Sequence, residues 1–326
     1  MSMTSTASPA KVLVVGDANA DLILRGDVVP QFGQAEKLVD SGDLVLGGSA
    51  SIMACGLARL GIPTALVARV GEDVFGRFVL AELRAAGVDV SRVEVDPQTP
   101  SGLSVILSTP EDRAILTIPG TIPTLTADAV RAAFADVDPA HVHVASYFLQ
   151  PTLAADLPSI LAGVRAAGAT VSLDTNWDPA ERWDGVADLL PHVDHLLPNL
   201  EELRAIGGRV LAEPGGEDCD IAAAIAAHGP CVVVKAGADG GWSVDSAGTR
   251  SDAPGLAVDV VDTTGAGDSF DAGYLAAFAR GIEDERERLR WATAAGSLST
   301  RGSGGTGRQA TADEIDAALS TRGVAR

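Results

Sequence analysis

Asp262-Thr263-Thr264-Gly265-Ala266-Gly267-Asp268-Ser269-Phe270 leads into a helical pattern from Asp271 to Arg280. A loop of small residues that opens a helix aims several unpaired N–H groups at one point, and the helix dipole adds partial positive charge there. The segment reads as an anion hole built from Gly265, Ala266 and Gly267. Asp268, in the same turn, sets a carboxylate beside it, close enough to take a proton from a hydroxyl attacking a phosphorus held there. For Gly-Ala-Gly-Asp alone, the competing reading is a plain turn with Asp268 as a helix cap.

Upstream of this string the chain alternates strand and helix. Strands are expected near Val142–Ala145, Thr170–Asp174, His195–Pro198 and Cys231–Lys235, with helices at Leu157–Ala167, Pro179–Leu190 and Leu200–Ile206 between them. Such repetition predicts an α/β fold with a doubly wound, mostly parallel sheet. The apolar run from Lys11 ends in Gly16-Asp17 and delivers Asp17, Asn19 and Asp21 to a strand end, where polar residues of an open α/β sheet face a ligand crevice. Short alternating runs from Leu22 to Leu46, and two short strands within Ser101–Ile118 around Pro110-Glu111-Asp112, predict a small β-strand lid from about 22–46 and 101–118. Gly47-Gly48-Ser49 then opens an Ala-rich helix closed by Gly61.

The 326 residues, 46% of them hydrophobic, suit one domain spanning 1–326. With 44 acidic and 24 basic residues the formal charge is −20, which disfavours nucleic acid and anionic membranes as partners. Cys55, Cys219 and Cys231 lack metal-ligand spacing and read as reduced, and no stretch reads as a signal or a span, so a soluble cytoplasmic protein is expected. His141, His143, His192, His195 and His228 likewise show no ligand spacing.

The nine-residue string, with Gly47-Gly48 and Asn19-x-Asp21, closely resembles the ribokinase or PfkB family of carbohydrate kinases. The resemblance spans nearly the whole chain and is most specific at the C-terminal string. It implies a ribokinase-like domain with a β-strand lid, ATP and Mg2+ as cofactors, and transfer of the γ-phosphate to a primary alcohol. By the same resemblance Asp268 matches the catalytic base and Gly265, Ala266 and Gly267 the anion hole. Asn199 and Glu202 match an Asn-x-x-Glu element that helps hold the metal and its waters, although the same spacing is that of a capping box. Lys235-Ala236-Gly237-Ala238-Asp239-Gly240 resembles the nucleotide loop, with Lys235 beside a phosphate or reaching solvent. Asp262 and Thr264 match part of a monovalent-cation site, potassium in the family, and lids of this kind imply a homodimer.

On the substrate side, Asn19 and Asp21 can fork hydrogen bonds to sugar hydroxyls, and Gly47 and Gly48 leave room for a ring. Where ribokinases commonly read Gly-Gly-Lys-Gly-Ala-Asn, this chain has Gly47-Gly48-Ser49-Ala50-Ser51-Ile52. Ile52 cannot hydrogen-bond a sugar hydroxyl, and the missing lysine at Ser49 favours a neutral acceptor. Tyr147 could stack on a ring or fill the core. Ile52 and Tyr147 together keep a nucleoside kinase open as an alternative, beside a catalytically inactive sugar sensor. No Gly-x-Gly-x-x-Gly turn follows an early strand and no P-loop string occurs, which argues against a dehydrogenase and a P-loop ATPase.

Overall fold

The computed structural model describes residues 10–109, 113–211 and 216–322; the Pro110-Glu111-Asp112 turn and residues 1–9 lie outside them. In chain order the first half contains β1 (Val12–Val15), β2 (Asn19–Arg25), β3 (Ser41–Gly47), α1 (Ser49–Arg59), β4 (Thr64–Gly71), α2 (Val74–Ala85), β5 (Asp89–Asp96), β6 (Gly102–Ser108), β7 (Arg113–Ile118) and α3 (Ala127–Val137). The second contains β8 (His141–Ala145), α4 (Pro151–Ala154), α5 (Leu157–Ala166), β9 (Thr170–Asp174), α6 (Val186–Leu189), β10 (His195–Leu196), α7 (Leu200–Val210), α8 (Asp218–Ala226), β11 (Cys231–Lys235), β12 (Gly241–Val244), β13 (Arg250–Ala253), α9 (Ala266–Ala279), α10 (Glu285–Ser299) and α11 (Ala312–Arg322).

Nine strands form one sheet in the order β13-β12-β11-β10-β9-β8-β1-β4-β5. It is parallel from β5 to β11, and β12 and β13 add an antiparallel edge. Parallel strands are covered on both faces, which is why Val12–Val15 is a continuous apolar run with every residue buried. One core packs α1, α2, α9, α10 and α11 on one face through residues such as Leu57, Tyr274 and Leu298. The other face buries Leu153, Leu161, Ile206 and Ile225 from the helices between α3 and α8. Because the chain leaves β1 for β4 on one side and β8 lies on the other, the crevice beyond the carboxyl ends of β1 and β8 is a topological switch point, where ligands of such sheets bind.

A separate four-stranded sheet, β3-β2-β6-β7, forms the lid. It starts earlier than expected: β2 begins at Asn19, so Asn19 and Asp21 sit on the lid's own central strand, paired with Gly47 and Val45 of β3. The helix predicted over Pro179–Leu190 shrinks to Val186–Leu189. Asp178 accounts for the difference, because its carboxylate accepts the backbone N–H groups of Ala180, Arg182 and Trp183 and ties them into a turn with left-handed Glu181 and Trp183. Local side-chain bonds of this kind compete with helix formation.

Candidate active site

Five strands aim polar residues at one place. Asp17 follows β1, Ser146 follows β8, Asp174 ends β9 with Asn176 two residues on, Asn199 follows β10, and Lys235 ends β11. Two helix N-termini close the ring. Asp17 accepts the N–H of Ser49 at 3.2 Å and of Ala50 at 3.0 Å, so it satisfies the start of α1, while the start of α9 carries Gly265, Ala266 and Gly267 with no side-chain cap. Asp268 lies within the first turn of α9 rather than capping it.

Gly265 has φ +70°, and a Cβ there would sit 2.6 Å from the Gly305 Cα. The Gly302–Gly307 run therefore packs onto the anion-hole loop. Asp262 ties the two together, accepting the N–H of Thr264 at 2.9 Å and of Gly304 at 3.0 Å. Burial opposes its charge, but those two N–H bonds win and hold the Asp262 carboxyl below the usual range.

Asp268 keeps a water-accessible edge in the crevice and is otherwise crowded by protein. Its carboxyl is pushed up to about 7, first by burial and then by the like charges of Asp174 and Asp17, against a lowering by the Ser49 hydroxyl and Lys235. That places its proton affinity where a general base works near neutral pH. Ser49 donates to Asp268 and in turn accepts from the Asn176 amide at 3.0 Å. Asn176, Asp174 and Asp271 had no site role in the sequence reading and Ser49 only that of a missing lysine, since nothing local to any of them marks a shared site.

Lys235 is largely enclosed, its side chain 10% exposed at the edge of the crevice. Its Nζ lies 2.6 Å from Asp174 and 3.2 Å from Asp271, beside Gly267. Burial works against the charge on Lys235, yet its two carboxylates and Glu202 outweigh it and raise its proton affinity. Within the cluster the Asp174 carboxyl is held below its ordinary value by Lys235 despite burial, while Asp271 is driven well up, first by burial. Beyond Lys235 opens a cavity of about 510 Å3 lined by Gly237, Ala238, Gly240, Val258, Gly267 and Thr293 among others. Its size and largely apolar wall suit a nucleotide base and ribose, with the α9 N-terminus at its end.

Asn199 and Glu202 form the capping box, the Asn199 side chain accepting from Glu202 N–H at 2.9 Å and Glu202 from Asn199 N–H at 2.8 Å. Glu202 is also buried and raised to about 7, by burial and then by Asp174. Among the described residues no group of three or more His, Cys, Asp or Glu side chains is arranged to hold a metal alone. On the lid, the Asn19 amide donates to Asp21 at 2.7 Å, and Asp21 is raised to about 6 by burial and by Asp17. A Cβ at Gly47 would meet the Asp21 carboxylate at 2.2 Å, so glycine there leaves Asp21 in its present position.

Two expected substrate contacts are placed elsewhere. Ile52 is 4% exposed and presses its side chain on Gly265 and Gly305, so it buttresses the loop that opens α9. Tyr147 is buried edge-on to Phe148 with its hydroxyl against the Gly185 turn, lining a different cavity with Pro158 and Asp188.

The chain matches the family model described as pfkB family carbohydrate kinase over residues 9–312. It is 32% identical over 320 residues to the ATP-dependent ribose-1-phosphate kinase of Halopiger xanaduensis, covering 96% of this chain and 99% of the relative. The ribokinase of Arabidopsis thaliana complexed with ribose and ATP superposes with a TM-score of 0.80 at 25% identity, over 95% of this chain and 99% of that one. A protein of E. coli provisionally designated ribokinase II, in complex with ATP and Mg2+, gives a TM-score of 0.82 at 23% identity over 96% and 99% of the two chains, a likeness of fold.

Proposed function

This chain belongs to the pfkB family of carbohydrate kinases, and from that premise we propose that it moves the γ-phosphate of ATP to a hydroxymethyl group of a small sugar, with Asp268 as general base. It is a sugar kinase with a ribokinase-like fold, a phosphotransferase whose acceptor is an alcohol. The observation that carries the residue assignment is one carboxylate, raised to about 7, in the first turn of an uncapped helix N-terminus at the end of a nucleotide-sized cavity.

In this reading Asp268 takes the proton of the attacking hydroxyl. The N–H groups of Gly265 and Gly267 meet the charge that develops on the transferring phosphoryl, while Ala266 N–H donates to the Thr263 carbonyl at 3.2 Å and braces the turn. Lys235 holds positive charge beside Gly267 and steadies that loop. Gly237 and Gly240 border the base and ribose. ATP, when bound, supplies the phosphoryl group, and Mg2+ neutralises charge between its phosphates. A Mg2+ that keeps several waters needs only one or two carboxylates, and Glu202, at about 7, would ionise beside a cation, which fits that role through water. Asn199 fixes Glu202. A monovalent cation at Asp262 and Thr264 would compete with the Gly304 N–H, with the Arg25 guanidinium 3.6 Å from Asp262, and with Arg113, which donates to Thr264 at 3.1 Å.

Asn19 and Asp21 orient the acceptor from the lid, with Gly47 and Gly48 beneath the ring. The nucleoside alternative drew on Ile52 and Tyr147, whose side chains do other work, so a bare sugar is the better acceptor. The lid exposes Leu44, Leu116 and Ile118 on one face, which is suited to pairing with a second copy. Among the described residues no helix is long and apolar enough to cross a membrane.

The test is ADP release over pentoses, hexoses and their phosphates, with Asp268→Asn beside the wild type. Turnover should fall at least about a hundred-fold while ATP affinity holds. Retained turnover in the variant removes Asp268 from the role.

A further inference from the structure

The bonds around Asn176 allow only one arrangement of hydrogens. The Ser146 backbone N–H can only donate, and it lies 2.8 Å from Asn176 Oδ1. The amide oxygen is therefore assigned, and Nδ2, a pure donor, is the atom 3.0 Å from Ser49 Oγ. Ser49 Oγ accepts there, so its single proton is free to go to its other partner, Asp268 Oδ1. An ionised carboxylate only accepts, which fixes the direction of the chain from Ser146 through Asn176 and Ser49 to Asp268. Asn176 is itself held in a left-handed backbone at φ 52° by its N–H on Asp174 Oδ1 at 3.0 Å. A non-glycine residue in that region marks a conformation enforced by its surroundings.

We infer that Ser49, oriented by Asn176, is a positioning residue: its hydroxyl occupies Oδ1 of Asp268, sets the rotation of the carboxylate, and leaves Oδ2 to the acceptor. This rests on the assignment of Asp268 as the base. A carboxylate on one freely turning bond presents either oxygen at any angle. One fixed donor on Oδ1 confines it to an orientation in which Oδ2 faces the crevice. Ser49 stands where ribokinases commonly carry lysine, so this chain uses a neutral hydroxyl to steer the base at a place where a lysine would bring charge.

Two readouts test this separately. The first is the carbon-13 titration of the Asp268 carboxyl in the full-length enzyme without ligands. The titratable groups that face Asp268 are Asp17 after β1, Asp174 on β9, Lys235 on β11 and Asp271 on α9, and none is altered in Ser49→Ala. Losing a donor to the ionised form moves the midpoint upward, by about one pH unit. Ser49→Thr, which keeps the hydroxyl, restores it, and Asn176→Gly, which tolerates the left-handed backbone, moves it part of the way. The second is kinetic: with ATP and the acceptor that turns over fastest among ribose, fructose and ribose 1-phosphate, Ser49→Ala loses about ten-fold in kcat with KM for ATP unchanged. A wild-type titration midpoint and kcat in Ser49→Ala overturn the inference. If Asp268→Asn stays active, the base assignment falls instead, and the titration still reports whether Ser49 holds the carboxyl.

Discussion

Lys235 and Asp174 form an ion pair at 2.6 Å between the ends of β11 and β9, with their side chains 10% and 1% exposed. A pair so enclosed does not gain much from Coulomb attraction after desolvation, but removing one member strands the other. Its value lies in spacing: it fixes two strand ends and the start of α9, through Asp271, at one distance from each other.

Lys235→Met should therefore destabilise the protein by about 3–5 kcal/mol in urea unfolding at pH 7.5, because Asp174 is left as an unpaired buried charge. Adding Asp174→Asn should recover a large part of that loss, since no stranded charge remains. A single variant as stable as the parent would mean that water reaches the pair.

Asp268 couples activity and stability to pH in opposite directions. Its folded value of about 7 lies above its ordinary value of 3.8, so its contribution to stability is complete below the ordinary value and is lost as pH rises through 7. The base form appears over the same range, and kcat/KM should climb on an acid limb near pH 7. In Asp268→Asn that titration is gone. The variant should gain about 1–2 kcal/mol on the parent between pH 4 and pH 8, a figure reduced for the carboxyl's accessible edge. Parallel stability curves for the two proteins would contradict the raised value.

Gly305 and Ile52 should couple in a double-mutant cycle. A Cβ at Gly305 meets Ile52 Cδ1 at 2.4 Å, so Gly305→Ala should cost about 1–3 kcal/mol by overpacking. Ile52→Val removes the offending methyl, and the double variant should be more stable than the sum of the single changes by about 1 kcal/mol in thermal unfolding. At Gly265 the obstacle is backbone and φ is positive, so Ile52→Val should not rescue Gly265→Ala. Equal rescue at both positions would show that the loop moves freely.

That Gly265, Ala266, Gly267 and Asp268 share the turn opening α9 was legible because one nine-residue string contains them all. Cys231–Lys235 was legible to the residue, since burial on both faces leaves an apolar run, and Thr170–Asp174 also ends where expected although Ser172 interrupts its apolar residues. Asp174, Asn176 and Ser49 were not legible, because their meaning comes from a helix start and the loop after a strand, 127 residues apart and brought to 3.0 Å. Pro179–Leu190 misled for a local reason: its spacing is helical, but Asp178 takes the N–H groups that a helix would need. Ile52 was noticed as a departure and given the wrong partner. Its place in α1 turns it toward Gly305, which sequence distance conceals.

β3 runs from the lid into Gly47 and Gly48, and Ser49 is the next residue, so the cover over the acceptor and the hydroxyl on Asp268 are consecutive pieces of one segment. A displacement of that sheet is transmitted to Ser49 within two peptide units. Under the proposed function, covering the acceptor and orienting Asp268 are thus tasks of one continuous piece of backbone.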